Sequence, residues 1–139
     1  MKRRALAVIA SWSLLALTAP VAGAEPGDLV TFISPTGNVG CILDTDYARC
    51  DIVDREWNPP PRPADCEFDY GQGIGIAPGE KAAFVCAGDT ALGGEKALAY
   101  GQSITRGQLR CDSSENGISC RDAGTGHGFS IARQVYQLF

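Results

Sequence analysis

No C-x-x-C pair occurs in this sequence, and His127 is its single histidine. A usual zinc set takes four cysteine or histidine ligands at short spacings, so a structural zinc site is excluded. Glycine is plentiful, yet no G-x-G-x-x-G run opens a helix and no glycine loop ends in Lys-Ser or Lys-Thr. Both common phosphate-cradling loops are thereby missing. Asn-x-Ser/Thr is absent, which removes the acceptor for N-glycosylation. Asp44, Asp46, Asp51 and Asp54 crowd together, but no glycine stands at the sixth position and no glutamate closes the run, so an EF-hand is excluded. These four aspartates read as solvated turn and strand residues. No segment carries an apolar helical stripe over ten residues.

What is present begins with an export signal. Lys2, Arg3 and Arg4 form a positive start, Ala5 to Leu17 is apolar apart from Ser11 and Ser13, and Ala22-Gly23-Ala24 supplies the small residues a signal peptidase reads. The expected cut follows Ala24, so residues 1–24 are a cleavable signal peptide and residues 25–139 one domain. The apolar run is too short for a bilayer of about 30 Å and no second one follows, so no membrane insertion is expected after cleavage. No cysteine stands at the cut for lipid attachment. Loss of Lys2, Arg3 and Arg4 takes the net charge from −4 to −7. Such an acidic chain repels phosphate backbones and anionic lipid heads, so nucleic acid is not an expected partner. No cofactor is indicated either.

All six cysteines lie downstream of the signal, the pattern of an exported domain held by disulfides. Six cysteines permit 15 pairings, and spacing favours one. Cys41–Cys50 and Cys111–Cys120 each enclose eight residues that read strand, turn, strand. With Ser114-Glu115-Asn116-Gly117 as a four-residue loop, Cys111 falls opposite Cys120, where facing positions stand close enough to bond. A two-residue Asn116-Gly117 turn would instead offset the pair and permit only a diagonal bond. Asp44 to Tyr47 plays the same part in the first hairpin, leaving Cys66 for Cys86.

Short β-branched and aromatic runs punctuated by 17 glycines and 8 prolines predict many short strands. They are expected at 29–33, 39–43, 47–53, 66–70, 81–86, 97–100, 108–112, 117–121 and 128–132, with a last strand or short helix over 133–139. The expected fold is an all-β, mostly antiparallel domain, a compact barrel or sandwich. The two cystine hairpins form a weak internal echo. Alternating glycines in Gly71-Gln72-Gly73-Ile74-Gly75-Ile76 read as a strand with one bare face, approached by an aromatic ring or another backbone.

Candidate functional residues are few. Trp57 precedes Asn58-Pro59-Pro60-Pro61-Arg62-Pro63, an extended rod without backbone donors that serves as a protein-binding surface or simply strides across the domain while Trp57 caps the core. His127 sits between glycines, open to a role as base or pH sensor, with Asp122 and Ser130 as nominal triad partners. The other reading places it in a turn, hydrogen-bonded to a neighbouring loop. Trp57, Tyr100, His127 and Arg133 are the exposed anchors expected to bind a protein or glycan partner outside the cytoplasm. Ranked by these features, the function is a non-enzymatic binding domain of the envelope or medium, then a small-ligand or glycan binder, then a hydrolase using His127.

The order of motifs resembles a family of small secreted actinobacterial domains of unknown function. The resemblance is carried by Phe32-Ile33-Ser34-Pro35-Thr36-Gly37-Asn38-Val39-Gly40-Cys41, Arg49-Cys50-Asp51-Ile52, and Trp57 with its proline rod. Cys86-Ala87-Gly88-Asp89-Thr90, Leu98-Ala99-Tyr100-Gly101 and Thr125-Gly126-His127-Gly128-Phe129 follow, before Arg133, Tyr136 and Phe139. It implies an actinobacterial, often mycobacterial, exported protein on a disulfide scaffold, and transfers no activity, ligand or catalytic residue.

Overall fold

Two cystine hairpins organise the molecule. The computed structural model describes residues 28–139, so the expected signal peptide and its expected cut lie outside the described residues. In the first hairpin β2 (Val39–Leu43) pairs antiparallel with β3 (Ala48–Ile52), and Cys41 lies opposite Cys50. In the second, β7 (Leu109–Ser114) pairs with β8 (Gly117–Asp122), and Cys111 lies opposite Cys120. Both bonds form, each with a Cα–Cα distance of 4.1 Å, as the narrow facing pairs of an antiparallel ladder allow. Ser114 and Gly117 themselves pair, so only Glu115 and Asn116 stand outside the second ladder, a tighter loop in the expected register. In the first turn Asp44 Oδ1 accepts hydrogen bonds from the Asp46 and Tyr47 amides, an Asx turn that closes the loop. Cys66 bonds Cys86.

Each hairpin supplies the second and third strands of a five-stranded meander. One sheet runs β1 (Val30–Ile33), β2, β3, β4 (Asp69–Ile76), β5 (Ala83–Ala87). The other runs β6 (Ser103–Arg106), β7, β8, β9 (Gly128–Ile131), β10 (Tyr136–Leu138). Neither closes into a barrel, so the architecture is the sandwich. Residues 133–139 hold a strand rather than a helix. The expected strands at 66–70 and 97–100 do not form as such. Residues 66–68 lead into β4, held by the disulfide, and 97–100 contribute one isolated bridge, Ala97 to Ile33, before a turn. The strand β6 carries no strong alternation and was not expected.

The inner faces make one core of Phe32, Val39, Leu43, Ile52, Ile74, Ile76, Leu109, Ile118, Phe129 and Ile131 around the two hairpin cystines. Cys50 Sγ and Cys120 Sγ stand 3.7 Å apart, so the bridges touch across the layers at the centre of the core. At one edge Trp57 packs on Tyr136 and Phe84, with ring centroids 4.7 and 6.0 Å away, and sews β10 to β5.

The outer face of the first sheet is covered as well. From the end of β5 the chain must reach β1 and then enter the second sheet at β6. It does so as a strap, residues 88–98, laid across β3 and β2. Its backbone at Ala91 and Leu92 occupies the space a Cβ on Gly40 would need. The Ile33 amide donates to Lys96 O at 2.9 Å, and the Leu98 amide to Ile33 O at 2.9 Å. The bare glycine face of β4 is used in full: Pro59 of the rod lies over Gly71, the Asp51 carboxylate over Gly73 and the Tyr47 ring over Gly75.

Reduction of the three bridges is expected to unfold the domain. Loop-closure entropy assigns about 2.7 kcal/mol to each hairpin bridge and about 3.3 to Cys66–Cys86, together as large as a domain's net stability. Thermal melts with and without a thiol reductant check this, and an unchanged midpoint would refute it. Gly73→Ala is expected to destabilise by about 1–3 kcal/mol, because its Cβ collides with the Asp51 carboxylate and the Cys50 carbonyl. A chemical melt beside the parent reads the difference.

Candidate functional site

Strands β1, β3 and β9 end at the same end of the sandwich, where β7 turns into β8. The loops there enclose a cleft of about 480 Å3. Five segments far apart in sequence wall it: Ser34–Val39, Val53–Asp54, Tyr100, Ser114–Gly117 and Ala132–Gln134. Each wall has a local reason to hold its shape.

The first wall is a turn in which the Gly37 amide donates to Ser34 O at 2.8 Å, with Gly37 in the left-handed region at φ +74°. Ser34 Oγ is buried and accepts from the Val39 amide at 3.1 Å. The next residue locks this wall to the second. Asn38 Nδ2 donates to Asp54 O at 2.9 Å, and its Oδ1 accepts from the Asp54 amide at 2.8 Å. Tyr100 sits at the corner of a 99–102 turn tied to β7, where the Gly101 amide donates to Ser113 O at 2.8 Å. Arg133 follows β9, its guanidinium 3.5 Å from Glu56 and largely exposed. Behind this last wall Trp57 Nε1 donates to Ala132 O at 2.8 Å.

The four candidate anchors therefore separate. Tyr100 and Arg133 share the cleft. Trp57 is half-buried in the aromatic edge and braces the cleft from behind through Ala132. His127 lies beyond the far end of β8, a strand length of about 17 Å from the Ser114–Gly117 turn. At that end the Asp122 carboxylate is enclosed and saturated. It accepts from the Gly79 amide at 2.8 Å, the Gly124 amide at 2.9 Å and Thr125 Oγ1 at 3.0 Å. Among the described residues no hydrogen bond joins the His127 ring to Asp122, Ser130 or any neighbouring loop. The residue is held through its backbone, its amide donating to Thr125 Oγ1 at 3.2 Å and its carbonyl accepting from the Asp122 amide at 2.8 Å.

The expectation that Asp51 is solvated is overturned: it is 1% exposed, beneath the strap. Arg49, also buried, grips it with Nε and Nη2 at 2.9 and 2.8 Å. The same carboxylate accepts from the Ala91 amide at 2.9 Å, while Arg49 Nη1 reaches Asp89 at 2.8 Å. Burial acts to lower the Arg49 pKa, but hydrogen bonds from its guanidinium to Asp51 and Asp89 prevail and hold it above the ordinary value. The Arg-Cys-Asp and Gly-Asp-Thr motifs thus meet in one buried network. The signal available in sequence was the strand itself: Arg49 and Asp51 alternate with core residues yet stand opposite a glycine face. A smaller hollow of about 290 Å3 lies beside this network, between the strap and β4.

These features define a disulfide-rich β-sandwich domain with an open polar cleft at one end. The chain belongs to a family of unknown function (DUF6636), whose profile matches residues 10–139. No curated protein and no solved structure matches it. Among the described residues no helix is long and apolar enough to cross a membrane, and no group of three or more His, Cys, Asp or Glu side chains is placed to hold a metal ion. The three formed disulfides point to an oxidising, extracellular setting.

Removing Asp51 strands a buried guanidinium, so Asp51→Ala is expected to cost roughly 3–5 kcal/mol. A denaturant melt measures it, and a loss below 1 kcal/mol would show the strap needs no such anchor. Hydrogen bonds from the Gly79 and Gly124 amides hold the Asp122 carboxyl below its ordinary 3.8. A depressed folded-state value contributes stability that is present above the unfolded value and lost as pH falls through the folded one. Acid destabilisation is therefore expected below about pH 4 and flattened in Asp122→Asn, as melts from pH 2 to 6 will show.

Proposed function

We propose that this protein is a non-enzymatic, exported binding module of the cell envelope or surrounding medium, and that the end cleft is its binding site. The observation that carries the reading is convergence. The Ser34–Asn38 turn, Tyr100 and Arg133 are separated by up to a hundred residues, yet they line one cavity. Its volume falls within the range of small-ligand sites, about 300–1,000 Å3. The loops that form it stand on a cross-linked sandwich, the usual arrangement of variable function on a rigid scaffold. A rigid scaffold also lowers the entropy cost of binding, since the walls are ordered beforehand. The acidic surface argues against nucleic acid and anionic membranes as partners.

The test is capture from envelope and culture extracts of the source organism on the immobilised, oxidised protein. A Tyr100→Ala, Arg133→Ala double variant is the control, and sugars and small molecules eluted with the protein fraction are measured too. Retention by the parent and at least tenfold loss on the double variant is expected. Ligands retained equally by both would place binding elsewhere and overturn the cleft as the site.

A further inference from the structure

We infer that the ligand of the end cleft is a neutral, hydroxyl-rich oligosaccharide, seated against Tyr100 and hydrogen-bonded by Asp54, Glu115 and Arg133. This rests on the cleft being the binding site and goes on to its chemistry. The first consideration is charge. The charged side chains on the walls are Asp54, Glu115 and Arg133, and Arg133 is already shared with Glu56 at 3.5 Å. An entering phosphate, sulfate or carboxylate would meet two carboxylates and one divided arginine, within a chain of strongly acidic balance. Repulsion of that kind selects against anions.

The second consideration is unused hydrogen-bonding capacity. Neither the Asp54 nor the Glu115 carboxylate accepts a hydrogen bond from a described residue, and the Tyr100 phenol and the Gln134 amide likewise make none. Among the described residues the Arg133 guanidinium makes only its long contact to Glu56. Ionised carboxylates are acceptors alone and guanidinium is a donor alone, whereas a hydroxyl is both. A ligand studded with hydroxyls therefore satisfies both walls at once, and O–H to carboxylate bonds are of the stronger, charge-assisted kind. An apolar ligand would strip water from these groups and return nothing.

The third consideration is the apolar surface interleaved with the polar one. Tyr100 is 46% exposed and Val53 59% exposed, both on the cleft. A pyranose ring has an apolar C–H face and a polar edge, and an aromatic ring beside carboxylates presents the matching pair of surfaces. One more polar group lies adjacent. Ser113 is an inner-face residue next to the wall residue Ser114, its carbonyl bonded to the Gly101 amide, and its buried hydroxyl has no partner among the described residues.

The proposal is tested by exposing the oxidised protein to an array of neutral hexose, pentose and N-acetylhexosamine oligomers beside sulfated and uronic acid oligomers. The best-retained sugar is then titrated in 0.15 and 1 M NaCl, using the emission of Trp57, whose indole is bonded to the cleft wall at Ala132. The expected result is retention of a neutral oligomer with little dependence on salt. Tyr100→Ala and Glu115→Ala should each weaken it tenfold or more, while Lys81→Ala at the far end changes nothing. Both cleft side chains are exposed, and unchanged thermal midpoints will confirm that the variants fold. Preference for the sulfated or uronic oligomers, or no retained sugar at all, overturns the ligand class. In that case a protein captured in a Tyr100-dependent way would leave the cleft standing as a peptide site. A sugar that binds all variants equally overturns the cleft itself.

Discussion

The carboxylate of Asp51 holds the two halves of this chain in place. The first meander ends at one edge of its sheet, and the second can begin only after the chain has crossed back over the outer face. A connection of that length laid over a sheet would ordinarily be loose, since it contributes few ladder hydrogen bonds of its own. Here it is tied at mid-course by one buried group. Asp51 accepts from both prongs of Arg49 and from the Ala91 amide, and Arg49 reaches on to Asp89. The charges are out of water, so the pair is tolerable only because its hydrogen bonds are complete. What the strap carries to its far end is Tyr100 and β6. The cleft, at one end of the sandwich, therefore depends on an ion pair on the outer face of the first sheet.

The two sheets are alike to a degree that the hairpins alone do not require. Each is a five-stranded meander with its cystine between the second and third strands, and the cystines meet at 3.7 Å in the core. This contact gives the interlayer a dense, inflexible centre, while the aromatic edge of Trp57, Phe84 and Tyr136 seals one side. The turns at one end are then free to differ from one another and to carry polar groups. Function placed in such turns makes no demand on the core, which is why the cleft walls are polar although the molecule beneath them is strongly apolar.

Several of these features were legible from residue order. Cystine hairpins follow from spacing because facing positions in a ladder repeat every two residues, so an eight-residue interval with a four-residue turn has one natural register. The glycine face of β4 was legible because alternation at period two puts Gly71, Gly73 and Gly75 on one side, and a bare side calls for something to fill it. The fillers were not legible. Pro59, Asp51 and Tyr47 come from different segments, and only the packing of the strap and rod shows which lands where. Residues 66–68 and 97–100 have strand-like composition but form no ladder beyond the single Ala97 bridge, whereas Asp69 and Tyr70 join β4 by pairing with Ala87 and Cys86, and β6 became a strand by pairing with β7 despite its weak pattern. Pairing partners, not propensity, decided all three.

The sequence by itself pointed to an all-β domain and favoured the cross-links 41–50, 66–86 and 111–120, all of which form. It could do so because periodicity, turn chemistry and cysteine spacing act over a few residues and leave their mark locally. The tertiary structure alone decided which candidate residues lie together. It brought Tyr100 and Arg133, from opposite ends of the second sheet's sequence, to one cleft, set Trp57 behind them as a brace, and left His127 at the far end. It also turned Asp51 from an apparent surface residue into the buried anchor of the strap. These are relations between segments up to a hundred residues apart, fixed by the closing of two layers over one core, and no local pattern encodes them.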